Sequence, residues 1–376
     1  MASDLVEHAK ELYEPLDRAA AALAPGEPVP RSVMDLLVDA GLHGLMVPKA
    51  AGGQELPLPE VVDVYEEISR ADGSIGWVHF ACDLTASYFG AYLSEEGAAE
   101  VFADGVPLMA GQFAPNGTAT PMPDDREGWL MEGDYQFGSG IAIADWAGGG
   151  ILATPADGGD PSYLFACLPV EHARVTGNWD VLGLQATASY DYQVRDLFVP
   201  ATRTFDFFAP AVHRGGPRYE LGVIPLTAAG HAGWALGVQR RVLDELAARA
   251  SVVRMGAPSA LAGSEHFLIS LADLESRYQA GRAWVREVLT EAEAVAVRDG
   301  SVDELTANRV RQACTFVNRG GARLAQEAYL LAGTSALRDG PMQRAFRDLH
   351  AGSQHFFASH AASLDYARSV LAAGHP

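Results

Sequence analysis

The spacing of apolar positions divides the chain into three textures. From Leu5 to about Val101 apolar residues recur with the helical period, so residues 5–24, 31–40, 59–70, 74–92 and 95–102 read as helices interrupted by Pro and Gly. From Pro107 to about Val199 the runs shorten. GWLMEGDYQFGSG, SYLFACLPV, ARVTGNWDVLGLQATAS and YDYQVRDLFVP read there as strands, separated by Gly, Pro, Asn and Asp. Beyond about Gly222 long amphipathic helices return at 228–250, 263–298 and 302–332, followed by the stretch 340–360. The expected architecture is α+β and mostly α. An N-terminal helical domain (1–105) precedes a central β-barrel or sandwich (106–215), and a C-terminal helical bundle (216–376) follows. No internal repeat or low-complexity linker interrupts this order.

Composition narrows the class. A chain of 376 residues with 48% hydrophobic residues can fill two or three packed units. A formal charge of −21, spread along the chain, argues against nucleic acid or an anionic membrane as partner, because both call for a basic surface. Cys82, Cys167 and Cys314 are odd in number and fall in no metal-binding spacing, so neither a disulfide framework nor a metal site is expected. MASDLVEHAKELYEPL has acidic residues where a signal peptide carries basic ones, and no apolar run approaches the roughly 20 residues of a membrane span. A cytoplasmic location is the expectation.

Candidate chemistry concentrates in GPMQRAFRDLHAGSQHFFASH, residues 340–360. Drawn as one continuous helix, Phe346, Leu349, Phe357 and Leu364 share an apolar face with Ser353 and His360. His355 falls on the other side, beside the small residues Ala351, Gly352, Ser359 and Ala362. It either stands over space for a ligand or hydrogen-bonds within a close helix contact. A second stretch is YQFGSGIAIADW, residues 135–146, where glycines on either side of Ser139 let the backbone approach a flat ligand. Phe137, on the same strand face by period-two alternation, is placed to pack on that ligand's ring, although a hairpin with a buried Phe gives the same pattern. Asp72, Gly73 and Ser74 offer N-capping chemistry ahead of Trp77 and His79, which suit either a site or a core.

Taken together, GWLMEGDYQFGSGIAIADW, WDVLGLQATASYDYQVRDLFVP and AGTSALRDGPMQRAFRDLHAGSQHFF, in that order, resemble the acyl-CoA dehydrogenase superfamily over nearly the whole chain. The resemblance implies that family's fold, with a four-helix C-terminal bundle. Laying Arg347 and Asp348 on the family's Arg-Asp pair puts Phe356 where the commonest branch has its glutamate base. The chain looks instead like the two-component flavin-dependent monooxygenases (group D hydroxylases), whose Arg-Asp, spacer and His pattern matches Arg347, Asp348 and His355 and whose Ser-Gly matches Ser139.

That branch implies reduced flavin (FMN or FAD) from a separate NAD(P)H:flavin reductase, O2, a flavin hydroperoxide, and oxygenation of a small aromatic substrate. By the resemblance His355 and Ser139 are the catalytic residues. His355 acts at the oxygenated flavin or as a base, since an imidazole near about pH 6.5 exchanges protons at neutral pH. Flavin contacts carried over are Gln112 and Phe113 after Gly111, then Phe137, Ser139, Gly333 and Thr334, the last two reaching a neighbouring subunit in a homotetramer. Arg254 is either a phosphate partner or simply an exposed helix arginine, whereas Gln185 replaces an arginine common among relatives. Trp77, His79, Cys82, Trp146 and Phe356 are the candidate substrate residues. No dinucleotide-binding GxGxxG follows a strand. The alternatives are an acyl-CoA dehydrogenase-type oxidoreductase with a relocated base and an inactive scaffold relative.

Overall fold

The computed structural model describes residues 2–24, 26–122, 126–253 and 259–374. The N-terminal helices are α1 (Ala2–Glu11), α2 (Tyr13–Ala22), α3 (Arg31–Asp39), α4 (Leu58–Ala71), α5 (Gly73–Tyr92) and α6 (Glu95–Val101). The helix expected over 5–24 is thus divided near Leu12, whereas the others form close to where periodicity puts them. Helix α5 is buried on almost every side, which explains why its sequence is apolar all round rather than striped. Its polar Asp83 is also buried and accepts from the backbone N–H groups of Leu45 (3.0 Å) and Met46 (3.4 Å) and from the Tyr65 hydroxyl. These bonds satisfy the carboxylate and fix α5 against the preceding loop.

The central part is one seven-stranded sheet of β1 (Met109–Pro121), β2 (Gly128–Gly138), β3 (Trp146–Ala153), β4 (Ser162–Pro169), β5 (Arg174–Val175), β6 (Tyr190–Pro200) and β7 (Thr204–Asp206). Its order is β5-β6-β2-β1-β3-β4-β7, with β1 and β3 parallel and every other pair antiparallel. Strand β1 runs on through APNGTA, residues 114–119, with an irregularity between Gln112 and Gly117. Conversely, most of the strand expected over 173–189 is loop. Glycines set the packing at the sheet centre, because a Cβ at Gly133 or Gly149 would come within 2.7 Å of the Tyr135 ring, which stacks on Tyr192 at 4.9 Å.

The C-terminal helices are α7 (Val223–Ala248), α8 (Glu265–Asp299), α9 (Glu304–Ala332), α10 (Pro341–Gly352) and α11 (His360–Ala372). The N- and C-terminal helices share one continuous apolar core, while the sheet has a second core around Met131, Tyr135, Ile151 and Tyr192. The helices therefore do not form two independent bodies flanking the sheet. The expected single helix through 340–360 stops at Gly352, and a separate 3-10 turn spans Phe356–Ala358 before α11. His355 consequently belongs to a turn, so the helical wheel does not govern where it points.

Candidate active site

Four elements meet around Trp77. Asp72 caps α5 by accepting from Ser74 N–H (2.9 Å) and Ile75 N–H (3.1 Å), which sets the indole just past the first turn. Helix α7 comes close because its small residues face α4 and α5: a Cβ at Gly230 would meet Leu84, and one at Gly233 would lie 2.8 Å from Tyr65. That approach brings His231 to 5.0 Å and Trp234 to 4.8 Å from the Trp77 ring, both edge-on. From the fourth element, Gly352 ends α10 against the Trp234 ring with no room for a side chain, and the chain turns. This turn delivers the His355 ring to 5.6 Å from Trp77 and 4.3 Å from His231. Phe357 covers the pair, 5.1 Å from His231 and 5.7 Å from His355.

Both imidazoles are neutral at ordinary pH. Burial pushes His355 down to about 4. Burial, and secondarily the neighbouring His355, pushes His231 well below its usual range. His355 Nδ1 accepts from the Phe357 backbone N–H at 3.4 Å, so the neutral ring carries its proton on Nε2. This corrects the expectation of an imidazole titrating near neutrality: His355 is a neutral hydrogen-bonding group. His231 is 3% exposed and its Nδ1 has no hydrogen-bond partner among the described residues. The Nδ1 atoms of His43 and His79 are orphaned in the same way, so what distinguishes His231 is its place against His355 and Trp77.

The β-sheet contributes Ser139, just after β2. Trp77 Nε1–H donates to Ser139 Oγ at 3.0 Å, and Ser139 Oγ lies 2.8 Å from Ser189 Oγ. Ser189 and Thr187 are buried, but Ser139 remains partly accessible. Phe137 does not follow strand alternation, because a register shift follows Tyr135 and Phe137 takes a left-handed conformation with φ +61°. Its ring is 62% exposed and stands 6.1 Å from Trp179. An exposed aromatic ring beside a partly accessible hydroxyl, next to the close-packed Gly140, forms a cradle for a planar heteroaromatic group such as flavin.

The remaining sequence candidates separate into those near this centre and those turned away. Cys82 is fully buried behind the turn, where Gly140 packs on its sulfur, and burial pushes its thiol up to about 12. His79 sits two positions beyond Trp77 on α5, on the opposite side. It is wholly buried, pairs with the Leu42 carbonyl and packs against Tyr65, so it is corrected from substrate residue to core residue. Trp146 begins β3 and lies under Arg203 at 5.7 Å, outside the Trp77 cluster. Phe356 is 56% exposed beneath Arg311, and its ring meets Phe357 edge-on at 5.7 Å rather than His355 itself.

The Phe113 ring packs against Tyr88, Phe165 and Phe207, which makes it a core side chain rather than a ligand contact. Gln112 Oε1 accepts from Gln136 N–H at 3.1 Å and so ties β1 to β2. Gly333 and Thr334 form the turn after α9, with Thr334 exposed and away from Ser139's contacts within this chain. Gln185 Oε1 accepts from Arg347 at 3.4 Å. Arg254 lies outside the described residues. His231 is the site residue that sequence reasoning missed. Its one signal was a lone histidine among small residues in TAAGHAGW.

Comparison with known proteins identifies the family and the fold. Residues 5–104 match the family model "Acyl-CoA dehydrogenase, N-terminal domain", and residues 229–360 match "Acyl-CoA dehydrogenase, C-terminal domain". The chain is 30% identical over 338 residues to an indole-3-acetate monooxygenase of Pseudomonas putida, covering 88% of this chain and 84% of the relative. It is 26% identical over 365 residues to the oxygenase component of an FADH2-dependent resorcinol hydroxylase from a Rhizobium species, covering 87% and 84%. The solved structure of XiaF from a Streptomyces species, in complex with FADH2 and glycerol, superposes with a TM-score of 0.88 at 22% identity, covering 99% of this chain and 96% of XiaF.

Proposed function

This chain belongs to the flavin-dependent monooxygenases built on the acyl-CoA dehydrogenase fold, and from that premise we propose that it oxygenates a small aromatic molecule at the Trp77, Ser139, His231 and His355 centre. The observation that carries this reading is the meeting of two neutral imidazoles with a partly accessible serine around one indole. Among the described residues no carboxylate is a hydrogen-bond or ion-pair partner of either imidazole ring. The place of the acyl-CoA dehydrogenase base holds Phe356, so the thioester-oxidising alternative lacks its proton acceptor there.

The cofactor is reduced flavin and the oxidant is O2. When bound, the flavin supplies the electrons that activate dioxygen for transfer of one oxygen atom. This chain's own residues do the rest. Phe137 offers its exposed face to the flavin ring, and Ser139 offers its hydroxyl oxygen to the ring's polar edge. His355 Nε2–H is a donor fixed by the Phe357 N–H on the opposite nitrogen. His231 Nδ1, unpartnered among the described residues, offers a polar contact to a phenol or an indole. Trp77 and Phe357 shield the buried His231 and cover the half-buried His355 in part, which strengthens the hydrogen bonds made there.

A separate NAD(P)H:flavin reductase is the proposed source of reduced flavin, consistent with the absence of a dinucleotide-binding fingerprint in the sequence. Assembly as a homotetramer is supported by exposed apolar side chains on the C-terminal helices: Ile269 (70%), Val297 (67%), Leu330 (70%) and Leu371 (75%). Gly333 and Thr334 then lie on a corner that a neighbouring copy can meet. No described helix is long and apolar enough to cross a membrane. The test of function is a turnover under isotopically labelled O2 with chemically reduced flavin and a panel of phenols and indoles. One labelled oxygen atom in a product supports the reading, and flavin oxidation without labelled product from any of them counts against it.

A further inference from the structure

Ser139 is the first of three hydroxyls in a row. Its Oγ lies 2.8 Å from Ser189 Oγ, which lies 2.8 Å from Thr187 Oγ1, and Thr187 Oγ1 donates to the Leu184 carbonyl at 2.9 Å. The two ends of this row are chemically one-sided. The Trp77 indole at the start can only donate, and the carbonyl at the finish can only accept. Each hydroxyl has one proton. Thr187 spends its proton on Leu184, so Ser189 must donate to Thr187 and Ser139 must donate to Ser189. With all four bonds made, no other arrangement of protons exists.

The consequence falls on the accessible end. Ser139's proton is committed inward, and one of its lone pairs is taken by Trp77. What it presents to a ligand is a single remaining lone pair. Nothing nearby loosens the row, because Thr187 and Ser189 are 1% and 3% exposed and water does not reach them. The terminal carbonyl is fixed too. Leu184 holds a left-handed conformation with φ +57°, its N–H donates to Asp348 Oδ1 at 2.6 Å, and its carbonyl also accepts from Trp179 Nε1 at 2.9 Å. Reversing Ser139 would set lone pair against lone pair somewhere along the row.

Flavin changes hydrogen-bonding character on reduction: the central-ring nitrogen N5 accepts when oxidised and carries a proton when reduced. We propose that Ser189 and Thr187, together with Trp77, are positioning residues that hold the Ser139 hydroxyl as an obligate acceptor, so that the site favours reduced over oxidised flavin. This rests on the reading that the flavin ring binds at Ser139. Removing Ser189 or the Thr187 hydroxyl frees the Ser139 proton to turn outward, where it serves the oxidised ring.

The experiment is a pair of equilibrium titrations, with oxidised flavin in air and with reduced flavin under anaerobic conditions. They are run on the unaltered protein, Ser189→Ala, Thr187→Val, Thr187→Ser and Ser139→Ala. The expected result is that Ser189→Ala and Thr187→Val each lower the preference for reduced flavin roughly tenfold, the scale of one hydrogen bond, while Thr187→Ser keeps it. The midpoint potential of bound flavin must shift by the matching amount, because the two affinities and the potential form a closed cycle. Equal weakening of both redox forms in Ser189→Ala and Thr187→Val would overturn the positioning role. If Ser139→Ala alters neither affinity, flavin does not bind at Ser139, and the underlying reading fails with the proposal. Unfolding of Ser189→Ala alone leaves the decision to Thr187→Val against Thr187→Ser.

Discussion

His231 and His355 lie with their ring centroids 4.3 Å apart, one from the middle of α7 and the other from the turn after α10, and both are held neutral by burial. The two rings pack against Trp77 from a helix and from a turn.

Protonation of this pair opposes folding. His355 ionises near 6.5 when unfolded but only at about 4 when folded, so the unfolded chain binds more protons in that interval. His231 is displaced in the same direction. Stability therefore falls as pH drops from about 6.5 toward 4, by roughly 1–2 kcal/mol for His355 after allowance for its partial exposure. Denaturant midpoints across this window should slope downward for the unaltered protein and be flatter for His355→Asn.

Truncating either imidazole should uncouple the reaction. His231→Ala and His355→Ala are each expected to lower product formed per reduced flavin consumed at least tenfold, while oxygen uptake persists as hydrogen peroxide. Parallel assays of product and peroxide measure this. Undiminished product from both variants would assign the pair to packing.

The carboxyl of Asp348 joins α10 to the loop that carries the serine row. Asp348 is raised above the usual carboxylate range, first by burial and then by the charge of Asp72. Asp348→Ala leaves the Leu184 N–H buried without an acceptor and should lose about 1–3 kcal/mol. Asp348→Asn retains an acceptor. Because the native carboxyl binds its proton more tightly folded than unfolded, its contribution weakens as pH rises, and Asp348→Asn should compare best with the parent at alkaline pH. Chemical denaturation of both variants at two pH values tests the order.

At Gly352 a single methyl would overlap the Trp234 ring, whose Nε1–H donates to the Gly73 carbonyl at 2.8 Å. Gly352→Ala should cost about 1–3 kcal/mol through overpacking. It should also weaken flavin binding, because the displaced turn carries His355. A melting temperature equal to that of the parent would contradict this packing.

Parts of the proposed centre were legible in the sequence, and what was not has physical causes. Ser139 and His355 stood in recognisable local patterns, and the helix, sheet, helix order followed from the change of apolar period. His79 was misjudged because positions two apart on a helix differ by about 200°, so it cannot share Trp77's face. The wheel through 340–360 failed because Gly352 meets Trp234 at the end of α10, a tertiary contact that periodicity does not reveal. Phe137 escaped alternation through a bulge. His231 was hidden because its neighbours become significant only once α7 is packed against α5. The serine row was equally invisible, since Ser139 and Ser189 come together through the sheet and Trp77 joins them from a helix.

The most direct measurement is stopped-flow absorbance of the protein loaded anaerobically with reduced flavin and mixed with oxygenated buffer. The account predicts two phases, in which reaction with O2 precedes recovery of the oxidised flavin's visible band, and a collapse toward one phase in Ser139→Ala and His355→Ala. Single-phase reoxidation of the unaltered protein, at the rate of free flavin, would contradict it.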